Sequence, residues 1–83
     1  MFINKSKDGL NNVCGKQVAL LRKQMLPKFS QRALAQMLQV AGLDVDKNAV
    51  QRIESGQRFV TDIELLILAQ VLKVSVETLL YDS

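Results

Sequence analysis

The sequence predicts an all-α fold, a bundle of five short helices. Apolar residues recur every three or four positions in five successive segments, which is the spacing of one helix face. Residues that cap helix starts precede most of these segments, and no segment alternates polar and apolar residues as a strand does. The 83 residues are 48% hydrophobic, so the chain can bury the core of one domain.

The first two helices are separated by the only proline of the chain. We predict the first helix from about Asn12 to Gln24, because Pro27 prevents its continuation. The Ser30 hydroxyl can cap the second helix, which is predicted to end before Gly42. The predicted inner faces of these two helices carry Cys14, Val18, Leu21 and Met25, and then Leu34, Met37, Leu38 and Ala41.

The third predicted helix has an unusually polar surface. It begins at Asp44 or Asp46, both good cap residues, and Gly56 supplies a left-handed end. At 100° per residue, Val50 and Ile53 define its buried side. The polar side chains that point away from that side are Asn48, Gln51, Arg52 and Ser55, with Lys47 at the border. So few apolar positions indicate that the other face has a separate use.

The fourth and fifth helices are the most apolar part of the chain. Thr61 and Glu64 form a capping box at the start of the fourth, and Ser75 caps the fifth, which runs to about Leu80. The predicted core residues are Leu65, Leu68, Ala69 and Leu72, followed by Val76, Leu79 and Leu80. Additional apolar surface on the fourth helix is expected from Ile63, Leu66, Ile67 and Val71.

The composition excludes several classes of function. The chain has no His and a single cysteine, Cys14, so a zinc site, an internal disulfide and nucleophile–His catalysis all lack their residues. No apolar run is long enough to span a membrane, and the first residues lack the apolar core of a signal peptide. We therefore expect a cytoplasmic protein without catalytic activity, metal or cofactor. Residues 1–11 are predicted to form a flexible polar arm and residues 12–83 the domain.

The charge is distributed unevenly along the chain. Residues 1–58 hold ten Lys and Arg against four Asp and Glu, whereas residues 59–83 hold one against four. A basic front and an acidic back are typical of a protein that docks one face on a polyanion. The alternative is a solvated surface whose asymmetry has no function.

Several short motifs together resemble one family. They are Leu21-Arg22, Phe29-Ser30-Gln31, Leu34-Ala35, Val50, Ile53-Glu54-Ser55-Gly56, Glu64-Leu65, and Ala69 followed by Leu72-Lys73-Val74-Ser75. Their order and spacing resemble the phage repressor/Cro type of helix-turn-helix protein, with its lambda repressor-like fold, over roughly residues 13–80. One departure is that nineteen positions separate Ala35 from Glu54, more than in the family's short form. The extra residues are expected to lengthen the second helix or to loosen the turn after it.

The resemblance implies that the third helix enters the major groove of DNA. The residues implied to meet base edges are Lys47, Asn48, Gln51 and Arg52. Those implied to contact the DNA backbone are Gln31, Arg32, Ser55, Gln57, Arg58 and Lys28. Arg32 and Lys28 can equally be solubilising surface charges, and any single base-reading side chain can equally be solvated. Arg22 and Glu54 match positions that form a partly buried ion pair between two helices.

The function that these features predict is sequence-specific regulation of transcription, with repression the expected sign. Two alternatives share the fold, namely a DNA-binding antitoxin with a toxin partner and a restriction–modification controller. A third alternative is a helical adaptor that binds protein only. We expect a homodimer joined through Leu66, Ile67, Val71 and Tyr81, because a small monomer seldom exposes a large apolar patch without a use. The alternative is that the fifth helix and the N-terminal arm cover these residues.

Overall fold

Five helices account for most of the residues that the structure describes. The structure is a computed structural model that describes residues 10–25 and 29–81. The helices are α1 Gly15–Gln24, α2 Gln31–Val40, α3 Lys47–Glu54, α4 Asp62–Leu72 and α5 Val76–Tyr81. Within those two ranges there is no strand, so the predicted all-α fold is confirmed. The expected Lys28 contact and most of the predicted N-terminal arm lie outside the described residues.

Local side-chain caps begin four of the helices, as the sequence predicts. The Ser30 hydroxyl accepts a hydrogen bond from the Ala33 N–H at 3.0 Å. Of the two alternatives for α3, Asp46 is the cap, and its Oδ1 accepts from the Ala49 N–H at 2.8 Å. The capping box of α4 is complete, because Thr61 and Glu64 each bond the other's backbone N–H. At the start of α5 the Ser75 hydroxyl accepts a hydrogen bond from the Thr78 N–H at 3.1 Å.

The start of α1 differs from the prediction. The helix begins at Gly15, three residues after the predicted Asn12. The side chain of Asn12 accepts from the Gly15 N–H at 2.8 Å, so Asn12 caps the helix from outside instead of joining its first turn. The cause is the competition of a short amide side chain for nearby backbone donors.

The core lies where the helices meet, and α4 is packed by α1, α2 and α5. The largest side chains that are essentially inaccessible to solvent include Val18, Leu34, Leu38, Ile53, Leu68 and Leu79. Two positions differ from the prediction. Ala41 is exposed because α2 ends before it. Val71, predicted at the surface and in the dimer interface, is only 8% exposed. A helix with neighbours on more than one side buries a wider arc than one stripe.

The lengthened connection between α2 and α3 is an ordered turn. After α2, the Gly42 N–H bonds the Gln39 carbonyl and the Leu43 N–H bonds the Leu38 carbonyl, with Gly42 at a φ of 103°. This is the Schellman arrangement that ends many helices. Val45 is then buried, and the Gln39 side chain donates to the Val45 carbonyl at 2.6 Å. Of the extra residues, which fall at positions 39–44, Gln39 and Val40 belong to α2. The others form an ordered turn, so the turn is not loosened.

Candidate nucleic-acid interface

Helix α3 has one buried face and one exposed polar face. Its buried face consists of Ala49, Val50 and Ile53, which are 7%, 1% and 1% exposed. The side chains on the opposite side are all exposed, and they are Lys47, Asn48, Gln51 and Arg52. These are the four residues predicted to read bases. The structure therefore brings them together on one surface that packs against nothing in the described chain.

Both ends of α3 are held by hydrogen bonds. Asp46 caps the first turn. At the other end Gly56 has a φ of 81°, its N–H bonds the Ile53 carbonyl, and the Gln57 N–H bonds the Arg52 carbonyl at 2.8 Å. A left-handed backbone is readily adopted by glycine, which has no Cβ to clash. The polar face is thus presented by a short helix whose ends do not depend on a ligand.

A buried ion pair ties α3 to α1. The Arg22 Nε lies 2.6 Å from the Glu54 Oε2, and Arg22 Nη2 lies 3.1 Å from Oε1. The two side chains are only 11% and 8% exposed. Arg22 also donates through Nη1 to the Phe29 carbonyl at 2.8 Å. The pair therefore fixes the end of α1, the segment before α2 and the end of α3 relative to one another.

Gln31 joins the same network. Its Nε2 donates to the Glu54 Oε1 at 3.0 Å, and the side chain is half-buried. The sequence analysis assigned Gln31 a contact with the DNA backbone and did not predict this bond to Glu54. A carboxamide has two N–H groups. The bond to Glu54 uses one of them and fixes the orientation of the Gln31 side chain, so the second N–H can donate to another acceptor. Arg32, the neighbouring candidate, is exposed.

The turn after α3 carries the remaining predicted backbone contacts. Ser55 and Gln57 are exposed, and the Ser55 hydroxyl donates to the Arg52 carbonyl at 3.2 Å. Arg58 is different, because its Nη2 lies 3.1 Å from the Glu64 Oε2 at the start of α4. The Arg58 side chain is 28% exposed, so its charge is partly neutralised within the fold and partly presented to solvent.

Two asparagines that the sequence did not single out hold this turn. Asn11 donates its N–H to the Gly56 carbonyl and its Nδ2 to the Gln57 carbonyl, both at 2.7 Å. Asn12 is 1% exposed and donates to the carbonyls of Ile53 and Arg58. Consecutive asparagines before a helix are a capping signal, but their partners lie more than forty positions away and leave no local trace. The arm boundary after residue 11 stays a prediction, although Asn11 contacts the domain.

The exposed apolar side chains lie mainly around α4 and the chain end. Ile63 and Leu66, three positions apart on α4, are 63% and 60% exposed, and Phe59 and Tyr81 are 49% and 78% exposed. Of the four predicted dimer residues, Leu66 and Tyr81 are accessible, Ile67 is half-buried and Val71 belongs to the core. Phe59, Ile63, Leu66 and Tyr81 are therefore the candidate residues of an apolar contact surface, which we call the apolar patch.

Other kinds of site find little support in the described chain. Burial raises the pKa of the Cys14 thiol to about 11, and the side chain is inaccessible to solvent, so at neutral pH it is a protonated core thiol. No group of acidic, His or Cys residues in residues 10–25 and 29–81 has the arrangement to hold a metal ion. None of the helices in these ranges combines the length and apolarity needed to cross a membrane.

Comparison with known proteins agrees with this geometry. The family model Helix-turn-helix (HTH_3) matches residues 18–79. A crystal structure of the restriction-modification controller protein C.AhdI from Aeromonas hydrophila is similar, with 32% sequence identity and a TM-score of 0.63 over 78% of this chain and 84% of that one. No curated protein sequence matches the chain significantly. The chain therefore belongs to the helix-turn-helix family of DNA-binding transcriptional regulators.

Proposed function

We propose that this protein binds specific double-stranded DNA sites as a homodimer, reads them with α3 in the major groove, and represses transcription without any catalytic step. The observation that carries the proposal is the polar face of α3, set on a buried anchor of Ala49, Val50 and Ile53. A helix fits the major groove of B-DNA, where each base pair shows a distinct pattern of donors and acceptors. The proposed place of action is the cytoplasm, as the sequence predicts.

The exposed side chains have the chemistry that base recognition needs. Asn48 and Gln51 can each make two hydrogen bonds to adenine, and Arg52 or Lys47 can do the same with guanine. Gln31 bonds Glu54 in the last turn of α3, so the start of α2 lies near the same end of the reading face as Ser55, Gln57 and Arg58. Donors in such places bond phosphates and set the orientation of the helix on the duplex.

Replacing Arg52 with alanine tests base reading. We expect a loss of about 1–3 kcal/mol in binding to the selected site and relaxed preference at one operator position. Sites selected from a random DNA pool, followed by affinity titration, measure both. Lys73→Asn is the matched control, because it also removes one exposed cation and Asn tolerates the left-handed φ of 60° found there. If Arg52→Ala and Asn48→Ala leave both affinity and selected sequence unchanged, α3 is not the reader.

The homodimer is supported by the patch of Phe59, Ile63, Leu66 and Tyr81. A single domain reads few base pairs, whereas a twofold dimer places two reading helices about 34 Å apart on one face of DNA. Val71 takes no part, because it is buried in the protomer. The exposed part of α4 is therefore the proposed centre of the interface.

Sedimentation of Leu66→Gln tests the dimer. We expect the dissociation constant of the dimer to rise at least about tenfold over that of the original chain, because the change places a polar group in an apolar contact. Val40→Gln is the control, since Val40 is 90% exposed on α2, outside the patch. An original chain that stays monomeric at tens of micromolar and binds a palindromic operator one to one would exclude the dimer.

A restriction–modification controller is the second candidate function. It is favoured by the similarity to C.AhdI, which extends over 84% of that protein at 32% identity. The DNA sites selected from a random pool distinguish a controller from another repressor, because a controller should bind a promoter of restriction–modification genes. If the protein were instead an adaptor that binds protein only, it would not bind mixed-sequence DNA at low salt.

A further inference from the structure

The segment Asn11–Asn12 donates hydrogen bonds to carbonyl groups at the end of the proposed reading helix and in the turn after it. Four hydrogen bonds run from this segment to residues 53–58, at distances of 2.7 to 3.1 Å. The acceptors are the carbonyls of Ile53, Gly56, Gln57 and Arg58. One short segment therefore holds the whole turn that follows α3, and we call these two residues the asparagine clamp.

The electrostatics of this turn explain why such a clamp matters for binding a polyanion. The carbonyl groups at the C-terminal end of a helix carry the negative end of its dipole. Carbonyls that pointed toward DNA would repel the phosphates that Gln57 and Arg58 are proposed to bind. The N–H groups of Asn11 and Asn12 satisfy these carbonyls, so the clamp reduces the local negative potential and fixes the turn.

The backbone donors of the turn are also engaged. The N–H groups of Gln57 and Arg58 both bond the Arg52 carbonyl, at 2.8 and 3.1 Å, and the Gly56 N–H bonds the Ile53 carbonyl. Phosphate contacts from this turn must therefore come from side chains, whose directions depend on the backbone that carries them. The clamp is the part of the fold that sets that backbone from outside α3.

We propose that Asn11 and Asn12 are positioning residues for DNA binding, which act by orienting Gln57 and Arg58 and do not touch the DNA themselves. This inference rests on the proposed function. Asn12 is buried and also caps α1 through its Oδ1, so its loss affects folding as well as the turn. Asn11 is half-exposed, and its hydrogen bonds within residues 10–25 and 29–81 go to the turn, which makes it the better residue to change.

The test is a double-mutant cycle between Asn11 and the two side chains that it is proposed to orient, Gln57 and Arg58. Asn11→Ala is expected to raise Kd about threefold to tenfold for every duplex, which is the effect of one lost hydrogen bond. When Gln57 and Arg58 are both alanine, the same change should have less than about a twofold effect, because the positioned side chains are gone. Gln24→Ala, an exposed amide on the other end of α1, is the control and should leave Kd unchanged.

Hydrogen exchange of the free protein supplies a second measurement. In Asn11→Ala the N–H groups of Gln57 and Arg58 should exchange faster, while that of the core residue Leu68 stays protected. An unchanged Kd in Asn11→Ala would overturn the inference, and so would full additivity in the cycle, which indicates a direct DNA contact of Asn11. If the original chain binds no duplex at all, the proposed function fails instead.

Discussion

Replacing Glu54 with alanine is expected to lower the free energy of unfolding by about 3–5 kcal/mol, the usual cost of breaking a buried ion pair from one side. Glu54 accepts hydrogen bonds from Arg22 and from Gln31. The substitution leaves the Arg22 guanidinium, only 11% exposed, without its carboxylate. A charge in that position is poorly hydrated, so the folded state loses far more than a surface salt bridge would contribute.

A thermodynamic cycle separates the pair from the general effect of a substitution. The variants are Glu54→Ala, Arg22→Met and both together, and the measurements are thermal and urea unfolding. We expect the double variant to be less destabilised than the sum of the singles, because removing both charges leaves no unpaired ion. Glu77→Ala on α5 is the control, an exposed carboxylate expected to change stability by less than about 0.5 kcal/mol. Additive, near-zero effects would show that the pair contributes nothing.

The features that the sequence predicts correctly are local ones. Ser30, Asp46 and Thr61 bond N–H groups three residues away, and the buried and exposed sides of α3 follow from a period of 3.6 residues. Such patterns need no knowledge of the rest of the fold. The Arg22–Glu54 contact spans 32 positions, and it was expected only because the chain resembles a family.

The features that were missed depend on distant parts of the chain. Asn12 caps α1 locally but is also bonded to Ile53 and Arg58, and Val71 is buried because other helices pack around α4. The bond from Gln31 to Glu54 likewise joins two helices. Periodicity assigns a residue to a face of its own helix, but it does not show how many neighbours cover that face.

Part of the candidate DNA interface could likewise be predicted from local patterns, and part of it depends on distant contacts. The exposed face of α3 could be predicted because a polar stripe opposite two apolar residues is a local pattern. The partial neutralisation of Arg58 by Glu64 could not, since Glu64 also serves the capping box of α4 and its second oxygen is placed by that role. The number of phosphate contacts therefore cannot be obtained by counting the basic residues in the sequence.

Adding a single methyl group at Gly15 is expected to destabilise the protein by about 3 kcal/mol, the upper end of measured overpacking costs. In a helix, replacing glycine by alanine ordinarily stabilises by about 0.5–1 kcal/mol. Here the new Cβ would overlap the Ile53 carbonyl oxygen and lie 3.0 Å from that of Glu54. Both atoms are backbone, so the strain cannot be relieved by a rotation, and α1 must move away from α3.

The displacement of α3 makes Gly15→Ala a test of function as well as of packing. The carbonyls that the Cβ meets belong to the last turn of the proposed reading helix, next to Glu54 and the asparagine clamp. We therefore expect weaker DNA binding even at a temperature where the variant is folded. Lys16→Ala, an exposed change in the same turn, is the control and should shift stability by less than about 0.5 kcal/mol. If Gly15→Ala raises the melting temperature, the helices are not in this close contact, and the intrinsic preference of alanine for a helix decides the sign.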